Sequence, residues 1–237
     1  MKLLACSFFF IASLLFSKAQ EIQVLKEVDT IQHLSKNEFH LIEEDFDLSE
    51  KEPLSILKGI SQKLKKDNLE SLYYKLAAEA NELGANAFTI EEFMSNADSI
   101  VLKINVFYLD KHELAENRLL IPYNMICIFG DIDNKPESKN IRFNGDKIIV
   151  NPMEYVSHQN EIGEKSTISI GGLIGTKGSI VGREQKESLY YSLKGFSLTD
   201  APYTYGQPTI GFNNGTFHLV PLNFARFLIH VLKQNKL

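Results

Sequence analysis

Six histidines, at positions 33, 40, 112, 158, 218 and 230, come first, because imidazole is both a general base and a metal ligand near neutral pH. No two stand four apart on one helix, and none has a cysteine or a second histidine close by, so the spacing of a zinc site is missing. The sequence predicts no metal and no cofactor. His158 sits in Tyr155-Val-Ser-His-Gln-Asn-Glu-Ile-Gly-Glu164, near Glu161 and Glu164, and a polar loop accounts for that cluster unless the fold aims its side chains together. Asp200-Ala-Pro-Tyr-Thr-Tyr-Gly-Gln-Pro208 is the most distinctive loop. Its prolines stiffen it, and Tyr203 and Tyr205 offer aromatic faces to a sugar, a peptide or a partner, or else cover the end of a β module.

Catalytic signatures are absent. The serines carry no GxSxG elbow. Glu43-Glu44 and Glu91-Glu92 are adjacent pairs, which in extended chain point to opposite faces and cannot share acid and base work. Gly171-Gly-Leu-Ile-Gly-Thr-Lys-Gly178 is one residue short of a phosphate loop, has glycine where Ser or Thr is required, and leads into more strand; it reads as a glycine-kinked hairpin or corner. Cys127 lies in the apolar run Asn124-Met-Ile-Cys-Ile-Phe129 and reads as a small buried hydrophobe.

Composition bounds the class. The chain has 237 residues, 44% hydrophobic and 23% charged, enough for one large or two modest cores. Lys2 precedes an apolar run from Leu3 to Phe16, and Ser17-Lys-Ala-Gln20 closes it, the pattern of a cleaved secretory signal over residues 1–20. The run is shorter than the ~20 residues a spanning helix needs, and no membrane span remains after cleavage. Leu3-Leu-Ala-Cys6 mimics a lipoprotein signal, but the apolar run follows the cysteine instead of preceding it. Loss of Cys6 leaves Cys127 as the only thiol and no intramolecular disulfide. Removing Lys2 and Lys18 leaves 23 basic against 30 acidic side chains, a balance of −7 that disfavours nucleic acid and anionic membrane as partners.

The elements come from periodicity. Glu21 to His40 fits a strand or a short helix equally and is placed as an edge element. Ser49-x-x-Glu52 reads as a capping box with Pro53 in the first turn, and Leu54, Leu57, Ile60 and Leu64 stripe a helix that breaks near Lys66-Asp67-Asn68. Leu69 to Leu83 is a second amphipathic helix ended by Gly84, followed by strands from Phe88 and from Ile100 to Tyr108. Asp110 caps a short helix barred by Pro122, and Tyr123 to Phe129 is a strand. Residues 131–140 are polar and turn-rich and read as a linker. Asn144-Gly145 and Asn214-Gly215 mark hairpins, with short strands between them at Thr167 to Ile170, Gly178 to Gly182, Leu189 to Leu193 and Pro208 to Phe212. Pro221 to Lys236 forms a final helix that plugs one end of the β module.

The run Ala77-x2-Ala80-x2-Leu83-Gly84-Ala85-Asn86-Ala87, followed by strands, resembles the helix–turn–strand of small exported bacterial domains of the YbjQ type, a family labelled heavy-metal-binding. The resemblance covers residues 69–109 and implies a fold more than a function, since that stretch holds neither cysteine nor histidine. The leader and the richness in Lys, Asn, Ile and Phe also resemble exported proteins of the Bacteroidetes type.

The expectation is an α+β protein. An N-terminal β-α-β-β unit over 21–130 is followed, after the linker, by a mostly antiparallel β barrel or sandwich module over 141–237 with a C-terminal helix. The expected function is that of an exported, non-enzymatic envelope protein, periplasmic or extracellular, that binds a partner protein or small ligand through loops of the β module. Tyr203, Tyr205 and His158 are its candidate contacts. The alternative is an envelope hydrolase with its site where the two parts meet.

Overall fold

A computed structural model describes residues 20–27, 38–62, 68–96, 98–132, 137–170, 176–193 and 217–235. The leader, Tyr203, Tyr205, the strand expected at Pro208 to Phe212 and the Asn214-Gly215 pair lie outside the described residues. Mixed α and β content organises the chain, and the described strands form three open sheets with no closed barrel among them.

The first sheet is built from β1 (Gln20–Glu27), β2 (His40–Leu41), β3 (Ser55–Gln62), β4 (Ala87–Ser95) and β5 (Ser99–Phe107), in the order β1-β3-β5-β4-β2. Strict alternation in β5 puts Ile100, Leu102, Ile104 and Val106 on the buried face. Helix α1 (Leu69–Glu82) covers that face with Leu72, Tyr73, Leu76 and Ala80. Its start is fixed by Asn68, whose side-chain oxygen accepts the Ser71 N–H at 2.9 Å, and its end by Gly84 at φ +82°. Helix α2 (Lys111–Leu119) carries the expected cap, Asp110, in a complete capping box with Glu113.

The helix expected from Pro53 is instead β3. Its apolar residues fit a 3.6-residue repeat only by coincidence, because the face turned to the core is Ser55, Leu57, Gly59 and Ser61, spaced by two. Pairing to β1 on one side and β5 on the other overrides the local helix signal. Asp47 takes the Ser49 N–H instead, and Leu48 to Lys51 closes a turn in place of the capping box. Small residues suit this face because α1 lies close: a β-carbon on Gly59 would stand 2.7 Å from Leu72 Cδ1 and 3.1 Å from Leu76 Cδ1.

The middle sheet contains β6 (Met125–Phe129), β9 (Glu154–Gln159), β12 (Leu189–Ser192), β13 (His218–Leu219) and β14 (Lys233–Asn235), ordered β13-β12-β6-β9-β14. It is mixed, since β6 runs parallel to β12 and β9 parallel to β14. A parallel pair needs a long crossover, and the chain between β6 and β12 supplies one. That crossover includes the outer sheet, β7 (Lys139–Phe143), β8 (Asp146–Val150), β10 (Lys165–Ile170) and β11 (Thr176–Val181), antiparallel throughout and ordered β11-β10-β7-β8. The turn between β7 and β8 has positive φ at Asn144 (+51°) and Gly145 (+96°), as the Asn-Gly pair predicts.

Period two also explains how the layers stack. Ile126 and Ile128 of β6, Val156 of β9 and Tyr191 of β12 share a core with Ile141, Phe143 and Ile168 of the outer sheet. The residues between them, Cys127, Phe129, Tyr155 and Tyr190, face the other way, into a core shared with α1, the first sheet and helix α3 (Leu222–Val231). The C-terminal helix therefore lies against a sheet face, with Phe224 and Phe227 around Tyr73, instead of plugging one end. It stops at Val231, five residues before the expected end, because Lys233–Asn235 pairs with β9.

Backbone proximity ranks two glycines. At Gly130 an added β-carbon would lie 2.1 Å from the backbone carbonyl oxygen of Asn151, whereas at Gly59 the obstacles are the tips of leucine side chains. Gly130→Ala is expected to lower stability by about 2 kcal/mol or more, and Gly59→Ala by clearly less, since leucine methyls shift more readily than a peptide. Urea denaturation of the two variants checks the ranking, and equal midpoints would contradict it.

Candidate functional site

His158 follows Val156 on the face of β9 turned to the outer sheet and stands at the rim of the core between the two sheets, its ring 5.2 Å from that of Phe143. The turn after β9 brings Glu164 back: its Oε1 lies 2.8 Å from His158 Nε2, and its Oε2 accepts the Glu161 N–H at 2.8 Å. Gly163, at φ +86°, makes that reversal possible. The Glu161 amide and then the His158 bond hold the Glu164 carboxyl below its ordinary range. An ionised carboxylate only accepts, so His158 Nε2 carries the proton and Nδ1 is left as the acceptor of the neutral ring. Of the two carboxylates near His158 in sequence, the fold therefore brings Glu164 to it, while Glu161 contributes its backbone amide.

Beside this pair lies a groove of about 460 Å³, lined by Phe143, Asn144, Asp146, Lys147, Ile148, Ile149 and Asn235 as well as His158. The hairpin β7–β8 forms one wall, and Ile149 is 51% exposed. None of the described residues that line the groove is a Ser, Thr or Cys. Ser157, the neighbour of His158, accepts a hydrogen bond from Gln234 at 3.0 Å.

A second polar cluster lies where α3 meets the segment after β2, and the sequence reading missed it. Arg226 and Glu43, each 7% exposed, form a two-point ion pair: Nε donates to Oε1 at 2.8 Å, and the terminal nitrogen reaches Oε2. Asn117 of α2 holds this segment by accepting the Glu43 N–H at 2.8 Å and donating to the Leu41 carbonyl at 2.9 Å. His230 lies 4.0 Å from Glu43 and 3.7 Å from Glu44, and His40 shares a hydrogen bond with Asn223. The available signal was Asn223, Arg226 and His230 at i, i+3 and i+7, one polar stripe on an otherwise apolar helix.

Neither cluster offers a hydrolytic nucleophile among the described residues named here. Burial pushes the Cys127 thiol up to about 12, so it stays protonated and inert. Ser188, on a shallow cavity of about 220 Å³ beside Arg118 and Tyr190, donates to the Pro122 carbonyl at 2.6 Å and accepts the Met125 N–H at 2.9 Å. Glu44 is 86% exposed and Glu43 buried, yet both carboxylates stand near the His230 ring, at 3.7 and 4.0 Å, because the chain has left the strand after Leu41. The described residues contain no group of three or more metal-ligating side chains. After the Gly171–Gly175 stretch the chain continues as strand β11, without the helix a phosphate loop requires.

Comparison with known proteins found no match to a family model, a curated protein or a solved structure.

Two outcomes follow from the α3 cluster. Arg226→Met leaves a buried carboxylate alone and is expected to cost about 3–5 kcal/mol, whereas Glu43→Leu combined with Arg226→Met restores much of it, because an apolar pair needs no partner. Chemical denaturation of single and double variants checks this. Burial first, with Arg226 adding to it at His230, holds the His40 and His230 imidazoles below 6.5. Both then bind protons more readily unfolded than folded, so stability falls as the pH drops below about 6.5 toward the folded values. The pair His40→Gln, His230→Gln is expected to flatten the urea midpoint between pH 7.5 and 5.5.

Proposed function

We propose that this is an exported, non-enzymatic envelope protein that binds a small ligand or an extended partner segment at the β module, in the groove beside His158. The observation that carries the reading is the oriented His158–Glu164 pair opening onto a groove of about 460 Å³ whose lining combines Phe143, Ile148 and Ile149 with Asn144, Asp146, Lys147 and Asn235. Phe143, Ile148 and Ile149 supply the apolar contact, and His158 and Asn235 supply directional hydrogen bonds. The proposal extends to Tyr203 and Tyr205 as further contacts from the same module, and to a sandwich-like β module as its frame. Export rests on the leader sequence alone. No helix among the described residues is long and apolar enough to cross a membrane.

The competing reading, a hydrolase at the junction of the two parts, draws on Glu43, Arg226 and His230. Arg226 and Glu43 spend their hydrogen bonds on each other, His230 stands 4.0 Å from Glu43, and burial keeps the Cys127 thiol and the Tyr190 hydroxyl near Arg226 protonated. Binding is therefore the better-supported reading.

Nitrogen-15 NMR titration of the leaderless chain with monosaccharides, amino acids, short peptides and muropeptide fragments tests it. The expected result is that at least one class shifts the amides of Phe143, Ile149 and His158, and that His158→Ala with Ile149→Asp abolishes the shift. Perturbations confined to other surfaces, or none at all, would reject the groove. Turnover of chromogenic esters, lost in Glu43→Gln, would establish the competing reading instead.

A further inference from the structure

The outward face of the outer sheet carries a single row of cations. Register places Lys147 of β8 opposite Arg142 of β7, Arg142 opposite Ser169 of β10, and Ser169 opposite Lys177 of β11. The four side chains cross all four strands in one line, about 14 Å long at the usual strand spacing. They point outward because Ile141 and Phe143 beside Arg142, Ile148 beside Lys147, Ile168 and Ile170 beside Ser169, and Ile180, three residues from Lys177 and so on the opposite face of β11, fill or pack against the core below. Arg142, Lys147 and Lys177 are exposed, and Ser169 is half-buried between them.

What sets this row apart is its alignment, since other described lysines, Lys58, Lys75 and Lys111 among them, also form no ion pair with a described carboxylate. Lys51 is paired with Glu113, Arg118 with Glu187, Lys139 with Glu137 and Lys233 with Glu154, as expected of a chain with five more acidic than basic groups. Arg142, Lys147 and Lys177 pair with no described carboxylate, and Arg142 donates only to the Gly145 carbonyl at 3.1 Å. Like charges directly opposite one another, as Arg142 and Lys147 are, work against sheet pairing. The first sheet carries a like opposition, Lys58 facing Lys103, but there Glu91 pairs with Lys103.

We infer that this row docks a linear, carboxylate-bearing polysaccharide. A flat line of cations with hydroxyls from Ser169 and Ser179 suits a chain of sugar carboxylates and hydroxyls, with Arg142 forking onto a carboxylate. Among the described residues this face carries none of the aromatic side chains on which nucleic acid bases stack. Ile149 is its one large exposed hydrophobe among the described residues, too little to enter a bilayer. The row is separate from the groove by His158: Lys147 borders both, but Arg142 and Lys177 line only the row.

Isothermal titration of the leaderless chain with polygalacturonate at low ionic strength, against its fully methyl-esterified form, tests the inference. The acid is expected to bind with an affinity that falls as salt is added, and the uncharged ester not to bind. Arg142→Glu with Lys177→Glu is expected to weaken binding by roughly tenfold or more. Lys75→Glu with Lys111→Glu, the same charge change on exposed helix positions, is expected to leave it unchanged. Equal urea midpoints for the two variants separate lost binding from lost folding. No binding of polygalacturonate, equal loss in both variants, or equally tight binding of phosphatidylglycerol vesicles or single-stranded DNA through the same residues would overturn it.

Discussion

The architecture depends on a charge buried where two sheets share one helix. Helix α3 lies between the first and middle sheets, so its central turns, Phe224 to Leu228, are buried and its single arginine is only 7% exposed. Arg226 is tolerable only because Glu43 meets it with two hydrogen bonds in the right plane. Burial works against the arginine's charge and Glu43 more than offsets it, leaving the guanidinium firmly protonated. Such a pair adds little net stability over two hydrophobes, yet it fixes how α3 sits. Any other rotation or register of the helix would strand both charges.

Side-chain amides finish what the sheets leave open. Asn86 donates to the Leu109 carbonyl at 2.8 Å and accepts the Leu109 N–H at 2.8 Å, a two-point bond like that of a neighbouring strand. Asn117 does the same for Leu41 and Glu43, and Asn124 for the two backbone groups of Arg183. Each serves a segment that has left its ladder but remains buried or pinned, where an unpaired peptide group is costly. Gly84 and Asn86, on which the YbjQ-type resemblance rests, are thus accounted for by a tight turn and an amide clip. That accounting explains why the motif is legible as structure while remaining silent about ligands.

Legibility in the sequence follows the range of the interaction. Helix α1 with its Gly84 stop, the Asp110 cap, the alternation of β5 and the Asn144-Gly145 hairpin are all local, and each reads from a few consecutive residues. Strand β3 does not, because its local pattern fits a helix and only pairing on both edges decides otherwise. The parallel pairing of β6 with β12 and the ion pair between residues 43 and 226 are beyond any window of sequence. The His158 cluster falls between these cases: His158 and Glu164 are six residues apart, and one turn governed by Gly163 decides that they meet.

The β7–β8 hairpin links the two surfaces to which function is assigned. One side of it presents Phe143 and Ile148 to the core and groove, and the other presents Arg142 and Lys147 to solvent. Because side chains alternate strictly, a slip of one residue would exchange these sets, burying cations and exposing the apolar wall. The turn prevents the slip. Asn144 at positive φ donates its N–H to the Thr167 carbonyl at 2.8 Å, and its side-chain oxygen accepts the Thr167 N–H at 2.7 Å, so the turn is fastened to β10 as well as to its own strands. With the register held at the turn, Phe143 and Ile148 stay toward the core while Arg142 and Lys147 stay toward solvent, and Lys147 and Ile149 bring the outer face to the rim of the groove.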